Sequence, residues 1–259
     1  MLGSEEDSEA GNIPTNLRTL LVLEEMARIG VPVTPTEVNQ QIGLPKPTIH
    51  RLFATLEAEG FIIRELDGRS FTPGRRLRRM STNVLSSLRV RTARLAVLSR
   101  LAEDIGETCN MAVPDREAMV YLDRVETKWP LRIQLPVGTH VPFYCTASGK
   151  TYLSTLNTRH FERYLNAANF TRRAKATITD PDQLRSEIDA VRRAGHAEDN
   201  EEFMDGMVAI AVPLFDDQTR LLSTVSFHAP TVRTDIVEAR KHIARLKMAA
   251  RELEQLVIN

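Results

Sequence analysis

Residues 44–62 place Lys46, Pro47, Thr48, His50, Arg51 and Thr55 among apolar positions Ile49, Leu52, Phe53 and Leu56, spaced i, i+3, i+4 and i+7. That spacing fixes one buried stripe on a helix and turns the remaining positions outward. The outward set gathers near the helix start, where free N–H groups and the positive dipole end already favour an anion. Lys46, His50 and Arg51 there can reach phosphates or base edges. The chemistry implied is non-covalent recognition of a nucleic acid.

Several elements must hold that helix in place. Asn16 is expected to cap a first helix carrying Leu20, Leu23, Met26 and Ala27, stopped by Gly30 and Pro32. Thr34, Pro35 and Glu37 form a capping-box pattern for a short second helix through Val38 and Ile42, ending at Gly43. Two helices joined by a tight Gly-containing turn, the second with a basic tip, is the arrangement that seats a helix in a DNA major groove. Phe61 to Glu65, a turn at Asp67-Gly68, and Arg69 to Thr72 then read as a hairpin, with Arg69 a further base beside the turn. The whole is a winged helix-turn-helix. The plainer alternative is a small protein-contact unit whose charges form a solvated face.

A second anion seat lies at residues 146–150. Free N–H groups around Ala147, Ser148 and Gly149 at a helix start suit a carboxylate, and Gly149 permits close backbone approach. Ser148-Gly149-Lys150-Thr151 also ends like a phosphate-binding loop, but Tyr144 stands where that motif needs glycine and no evident strand delivers it. Cys145 has no convincing base nearby in sequence to make it a nucleophile, so no catalytic residue is assigned. His140, Cys145, His196 and His228 lack ligand spacing, so neither a metal nor another cofactor is expected.

The chain has 259 residues with 34 Lys and Arg against 34 Asp and Glu, so net charge points to no partner. Its distribution says more: residues 1–11 carry Glu5, Glu6, Asp7 and Glu9 with no base, whereas residues 12–80 hold ten bases and seven acids. No apolar run suits a membrane and no secretory layout is present, so a cytoplasmic protein with reduced Cys109 and Cys145 is expected. After Pro73-Gly74, Arg75, Arg76, Arg78 and Arg79 open a helix with the apolar face Leu77, Met80, Val84 and Leu88, which a second copy of the chain would cover. A further helix is expected over 91–105. Strands are expected over 108–113, 118–125, 131–135, 208–214 and 222–227. Helices are expected over 148–155, 158–166 and 181–194, with a last one from Ile236 to Val257. Hairpins mixed with helices imply an α+β domain with a largely antiparallel sheet.

This order of parts resembles the IclR family of bacterial transcriptional regulators over about residues 14–258. The resemblance rests on three stretches: Gly43 to Leu52; Thr146 to Lys150; and Glu202, Gly206, Ile210, Ala211, Pro213, Ser226 and Pro230. It implies a disordered acidic tail over 1–13, a winged helix-turn-helix over 14–73 and a linker helix over 74–90. An effector-binding domain of GAF-like or profilin-like α+β fold follows over 91–259. It also implies a repressor or activator on a pseudo-palindromic double-stranded operator, working as a homodimer or dimer of dimers without a membrane. Pocket roles pass by resemblance to Asp199, Glu201, Met207, Ala209, Ser226 and His228, each of which could instead be a core or rim residue. Pro47 departs from the serine usual in the family, so operator sequence does not transfer. Met111, Phe143, Tyr144, Phe203, Met207 and Phe227 near these motifs suit a small organic acid, aromatic carboxylates first. The rival reading is a GAF-like small-molecule-binding or catalytic module with a non-essential N-terminal domain.

Overall fold

The computed structural model describes residues 13–85 and 88–258, so the expected acidic tail falls outside the described residues except for Ile13. Contacts divide the chain into two units, the division falling between residues 87 and 88. The first unit runs α1 (Thr15–Ile29), α2 (Pro35–Ile42), α3 (Lys46–Ala58), β1 (Ile62–Arg64), β2 (Phe71–Pro73) and α4 (Arg75–Leu85). Local signals dictate most of it. The Thr34 N–H donates to Glu37 Oε2 at 2.7 Å and Thr34 Oγ1 accepts from the Glu37 N–H at 3.3 Å, closing the capping box of α2. Gly43, at φ 71°, donates to Asn39 O and ends that helix. The Asn39 side chain then brackets Leu44, donating to its carbonyl at 2.7 Å and accepting its N–H at 2.9 Å, which fixes the turn into α3.

Asn16 does not cap α1: the helix begins at Thr15 after Pro14, with no side-chain cap. Val22, Met26, Val38, Ile49, Phe53, Leu56, Ile62 and Phe71 form the core of this unit. Val33 bridges Phe71 as a third antiparallel element of the wing. Gly74 is required by close approach, since a Cβ there would lie 2.4 Å from Gly60 O. On α4, Leu77 is half-buried while Met80 and Val84 are exposed; the Leu88 side chain, the fourth position of the expected face, lies outside the described residues.

The second unit runs α5 (Leu88–Ile105), β3 (Thr108–Asp115), β4 (Ala118–Val125), β5 (His140–Pro142), α6 (Ala147–Thr155), α7 (Thr158–Ala167) and α8 (Pro181–Ala194). It continues with β6 (Ala197–Asn200), β7 (Met207–Phe215), β8 (Leu221–Pro230), α9 (Ile236–Arg240) and α10 (Ile243–Ile258). The six strands make one sheet in the order β5-β4-β3-β8-β7-β6, antiparallel throughout. Alternation along β7 and β8 sorts its faces. Val208, Ile210, Val212, Val225, Phe227 and Ala229 face a core shared with α5 and α10. Ala209 and Ala211 face the other side, where their small side chains let Ala147 of α6 close down. The α+β expectation holds, and so does the winged N-terminal unit.

Other expectations fail here. Residues 131–135 form no strand, and Leu131 is exposed. The short strands β5 and β6 were not foreseen; β5 does lead toward α6, contrary to the reading that no strand precedes that helix. The last helix is broken between Arg240 and Ile243. Met111 and Phe227 lie in the α5–α10 core, and Phe143 and Tyr144 pack with Leu153, Phe161 and Leu184, so none of these four lines the cleft formed by Ser148, Asp199, Ser226 and His228. Gly149 allows not a ligand but α6 itself to approach: a Cβ there would stand 2.4 Å from both Cα and O of Phe143. Gly149→Ala is expected to destabilise the protein by about 1–3 kcal/mol through overpacking against fixed backbone, measured as a lowered urea midpoint.

Candidate functional site: a basic helix tip and a buried polar cleft

The N-terminal candidate surface is built on α3. Ile49, Phe53 and Leu56 anchor the helix in the core, which leaves Lys46, Pro47, His50, Arg51 and Thr55 exposed and Thr48 half-buried. Thr55 Oγ1 donates to Arg51 O at 3.0 Å, so its hydroxyl hydrogen is held by the helix. Arg69 is exposed on the wing loop. Asp67 orders that loop, its Oδ1 accepting the N–H groups of Arg69 at 2.8 Å and Ser70 at 2.9 Å while Ser70 Oγ donates to Oδ2. Of the four arginines opening α4, Arg76 is taken up by Glu59 at 2.8 Å and by the Phe61 ring, and Arg78 donates to Pro73 O.

The second unit carries a cleft between the start of α6 and the face of the sheet opposite α10. Ala147, Ser148, Asp199, Met207, Ala209, Ser226 and His228 line it together with Tyr121, Thr146 and Phe203. Its water-accessible space is about 10 Å³, about enough for one water. Seven of the nine residues expected around an effector therefore meet at one place. Gly149 and Glu201 do not line it. The Gly149 N–H already donates to Thr146 Oγ1 at 3.1 Å. Glu201, at φ 60°, accepts the Gly206 N–H at 2.6 Å and so closes its own loop. Thr146 was legible as a helix cap, and Tyr121 as an inward position of an alternating strand; Phe203 was among the apolar residues expected to line the pocket, and it does.

Buried charge surrounds the cleft. Lys150 is fully buried, its Nζ donating to Glu202 Oε1 at 2.5 Å and Glu187 Oε1 at 2.7 Å. Burial works against its charge, but the two carboxylates outweigh that and raise its pKa. Asp199 Oδ1 accepts the N–H groups of Glu202 at 2.8 Å and Phe203 at 3.2 Å, whereas Oδ2 is buried without a hydrogen-bond partner. Burial and then the nearby Glu202 charge push the Asp199 carboxyl up to about 7. His228 is pushed down to about 3 by burial and by Arg124 behind it, whose guanidinium lies 3.4 Å from Nε2, so the imidazole is neutral. Ser148 Oγ and Ser226 Oγ are 3.3 Å apart across the cleft. Burial and the Asp199 charge push Cys145 up to about 12, which leaves a thiol rather than a nucleophilic thiolate. Among the described residues no three His, Cys, Asp or Glu side chains converge as a metal would require, and no helix is long and apolar enough to cross a membrane.

Both parts of the chain match known protein domains. Residues 17–65 match the IclR helix-turn-helix domain, and residues 82–255 match the domain described as bacterial transcriptional regulator IclR C-terminal. The chain is 33% identical over 237 residues to the probable transcriptional regulator SauR of Cupriavidus necator, covering 92% of this chain and 94% of that one. The IclR structure from Thermotoga maritima superposes with a TM-score of 0.62 at 25% identity, covering 93% of this chain and 97% of that one. An IclR homologue from Microbacterium hydrocarbonoxydans, 21% identical with coverage of 92% and 98%, shares the fold with a TM-score of 0.60. The matched domains and relatives are transcriptional regulators and not enzymes. A basic helix tip on a winged unit, joined in sequence to an α+β domain with a buried polar cleft, thus places this chain in the IclR family of DNA-binding transcriptional regulators.

Proposed function

We propose that the protein binds a pseudo-palindromic operator through α3 and the wing, and that a small organic acid in the C-terminal cleft alters that binding. The observation that carries the DNA half is the exposure of Lys46, His50 and Arg51 on a helix whose opposite stripe is buried. Lys46, Pro47, Thr48, His50, Arg51 and Thr55 line the groove-facing side, and Arg69 adds a wing contact. A palindromic site calls for two copies, and the exposed Met80 and Val84, one turn apart on α4, support a homodimer or a dimer of dimers. The protein works in the cytoplasm.

For the effector, the start of α6 offers N–H groups to a carboxylate, facing the Ser226 and His228 side chains. Ala147, Ser148, Asp199, Met207, Ala209, Ser226 and His228 make the contacts; Gly149 and Glu201 support the walls. The Microbacterium homologue of the same fold is complexed with 4-hydroxybenzoate, which makes aromatic acids the first probes. The tightness of the cleft favours a second candidate class, short aliphatic acids, which demand less widening. The acid must bind the two DNA-competent and DNA-incompetent arrangements unequally to act at all.

Arg51→Ala should weaken binding to a duplex selected from a random pool by about 1–3 kcal/mol if Arg51 reads a base, with relaxed preference at that position. Lys46→Ala should weaken all duplexes alike and reduce the salt slope by about 0.9. Unchanged anisotropy curves for both variants would refute the assignment of α3. For the effector, calorimetry should give heat with hydroxybenzoates; heat with short aliphatic acids alone would move the assignment to that class.

A further inference from the structure

The buried groups around the cleft do not balance. Three carboxylates, Asp199, Glu202 and Glu187, stand around the Lys150 ammonium, which hydrogen-bonds only the last two. Asp199 is 1% exposed and lines the cleft, and its Oδ2 has no hydrogen-bond partner. A buried carboxylate oxygen in that state needs either a proton of its own or a donor from something in the cleft. Three titratable groups lining or adjoining the cleft beside it are themselves uncharged, with Arg124 acting on Tyr121 and His228 and Arg173 acting on Cys145. Tyr121 on β4 is a neutral phenol pushed up to about 12 by burial, His228 on β8 is neutral, and Cys145 before α6 is a thiol. Glu202 beside it on the loop after β6 adds negative charge, and Lys150 of α6 offsets part of it.

We propose that Asp199 couples ligand chemistry to a proton: its free oxygen accepts the donor of an acid that also carries a hydroxyl, and it must take up a proton from solvent before a bare carboxylate can enter. This rests on the reading of the cleft as the effector site. A bare acid brings a second negative charge to the already acidic end of the cleft, so the complex forms with neutral Asp199 and one proton is drawn from the buffer. A hydroxy acid's hydroxyl can donate to ionised Asp199 or accept from its protonated form, so it binds either state and little net proton movement accompanies binding. The cleft therefore selects hydroxy acids over bare acids at alkaline pH and loses that selectivity at acid pH.

Calorimetry of the full chain with benzoate and propionate against 4-hydroxybenzoate and glycolate, at pH 6, 7 and 8 in two buffers of different ionisation heat, reads this directly. Affinity for the bare acid should fall about tenfold per pH unit once Asp199 ionises, with about one proton taken up per ligand at pH 8. The matching hydroxy acid should show a flat profile, and Asp199→Asn should flatten the bare-acid profile. Melting curves supply a ligand-free check. Asp199 has a folded value of about 7 against a reference of 3.8, so the folded state holds the extra proton between them and loses stability as pH rises through that window. The melting temperature of Asp199→Asn relative to wild type should thus climb from pH 5 to 7 and level off at 8. Equal wild-type affinity for a bare acid at pH 6 and 8, or an unchanged slope in Asp199→Asn, would overturn the proposal. Absence of heat with all four acids, alongside the expected melting profile, would instead overturn acids as the effector class while leaving the titration of Asp199 established.

Discussion

The Lys150 ammonium, wholly enclosed and gripped by Glu202 and Glu187, is the constraint on which the C-terminal unit turns. Removing an ammonium from water costs several kcal/mol, and only close, hydrogen-bonded carboxylates offset it. That requirement ties together three parts of the chain: α6, which carries Lys150; α8, which carries Glu187; and the loop after β6, which carries Glu202. Once they are tied, the first turn of α6 is held over Ser226 and His228, and Asp199 is left facing the cleft with one oxygen unused. Gly149 and the Ala147, Ala209 and Ala211 contacts complete the fit by letting backbone approach backbone.

The N-terminal unit obeys a simpler rule. Helices α1 and α2 end where Gly30 and Gly43 adopt left-handed φ, and α2 begins where Thr34 caps it, so local chemistry sets the angle at which α3 presents its basic tip. The Asn39 bracket around Leu44 stiffens the turn that matters most for presenting Lys46 and Arg51. One unit is thus organised by short-range signals and the other by charges brought from far apart in sequence.

That difference explains what the sequence could disclose. Thr34, Glu37, Gly43 and the spacing of Ile49, Phe53 and Leu56 lie within a few residues of the structure they create, and the helix-turn-helix was legible from them. Of the cleft, the helix-start wall at Ala147 and Ser148 was legible from local chemistry; the facing wall was legible only through family resemblance, because the two meet across separations such as the 78 residues between Ser148 and Ser226. Polar β6, Ala197–Asn200, has little strand propensity and is held by pairing with β7. Conversely, the alternating Leu131, Ile133 and Leu135 suggested a strand that no neighbour pairs. Alternation along β8 already implied that Phe227 must face away from Ser226 and His228, and it does. The orphaned oxygen of Asp199 had no sequence signal, since it depends on where Lys150 finds its two partners.

A regulator in which this cleft governs DNA binding must show linkage between the two sites. The most direct measurement is fluorescence anisotropy of the full chain on its selected operator, titrated with an acid that calorimetry shows to bind, for the wild type and for Ser226→Leu, which fills the cleft. The account predicts that the acid shifts operator affinity several-fold in the wild type and not at all in the filled variant. Operator affinity that is indifferent to a bound acid in the wild type, or a shift that survives in Ser226→Leu, would contradict it.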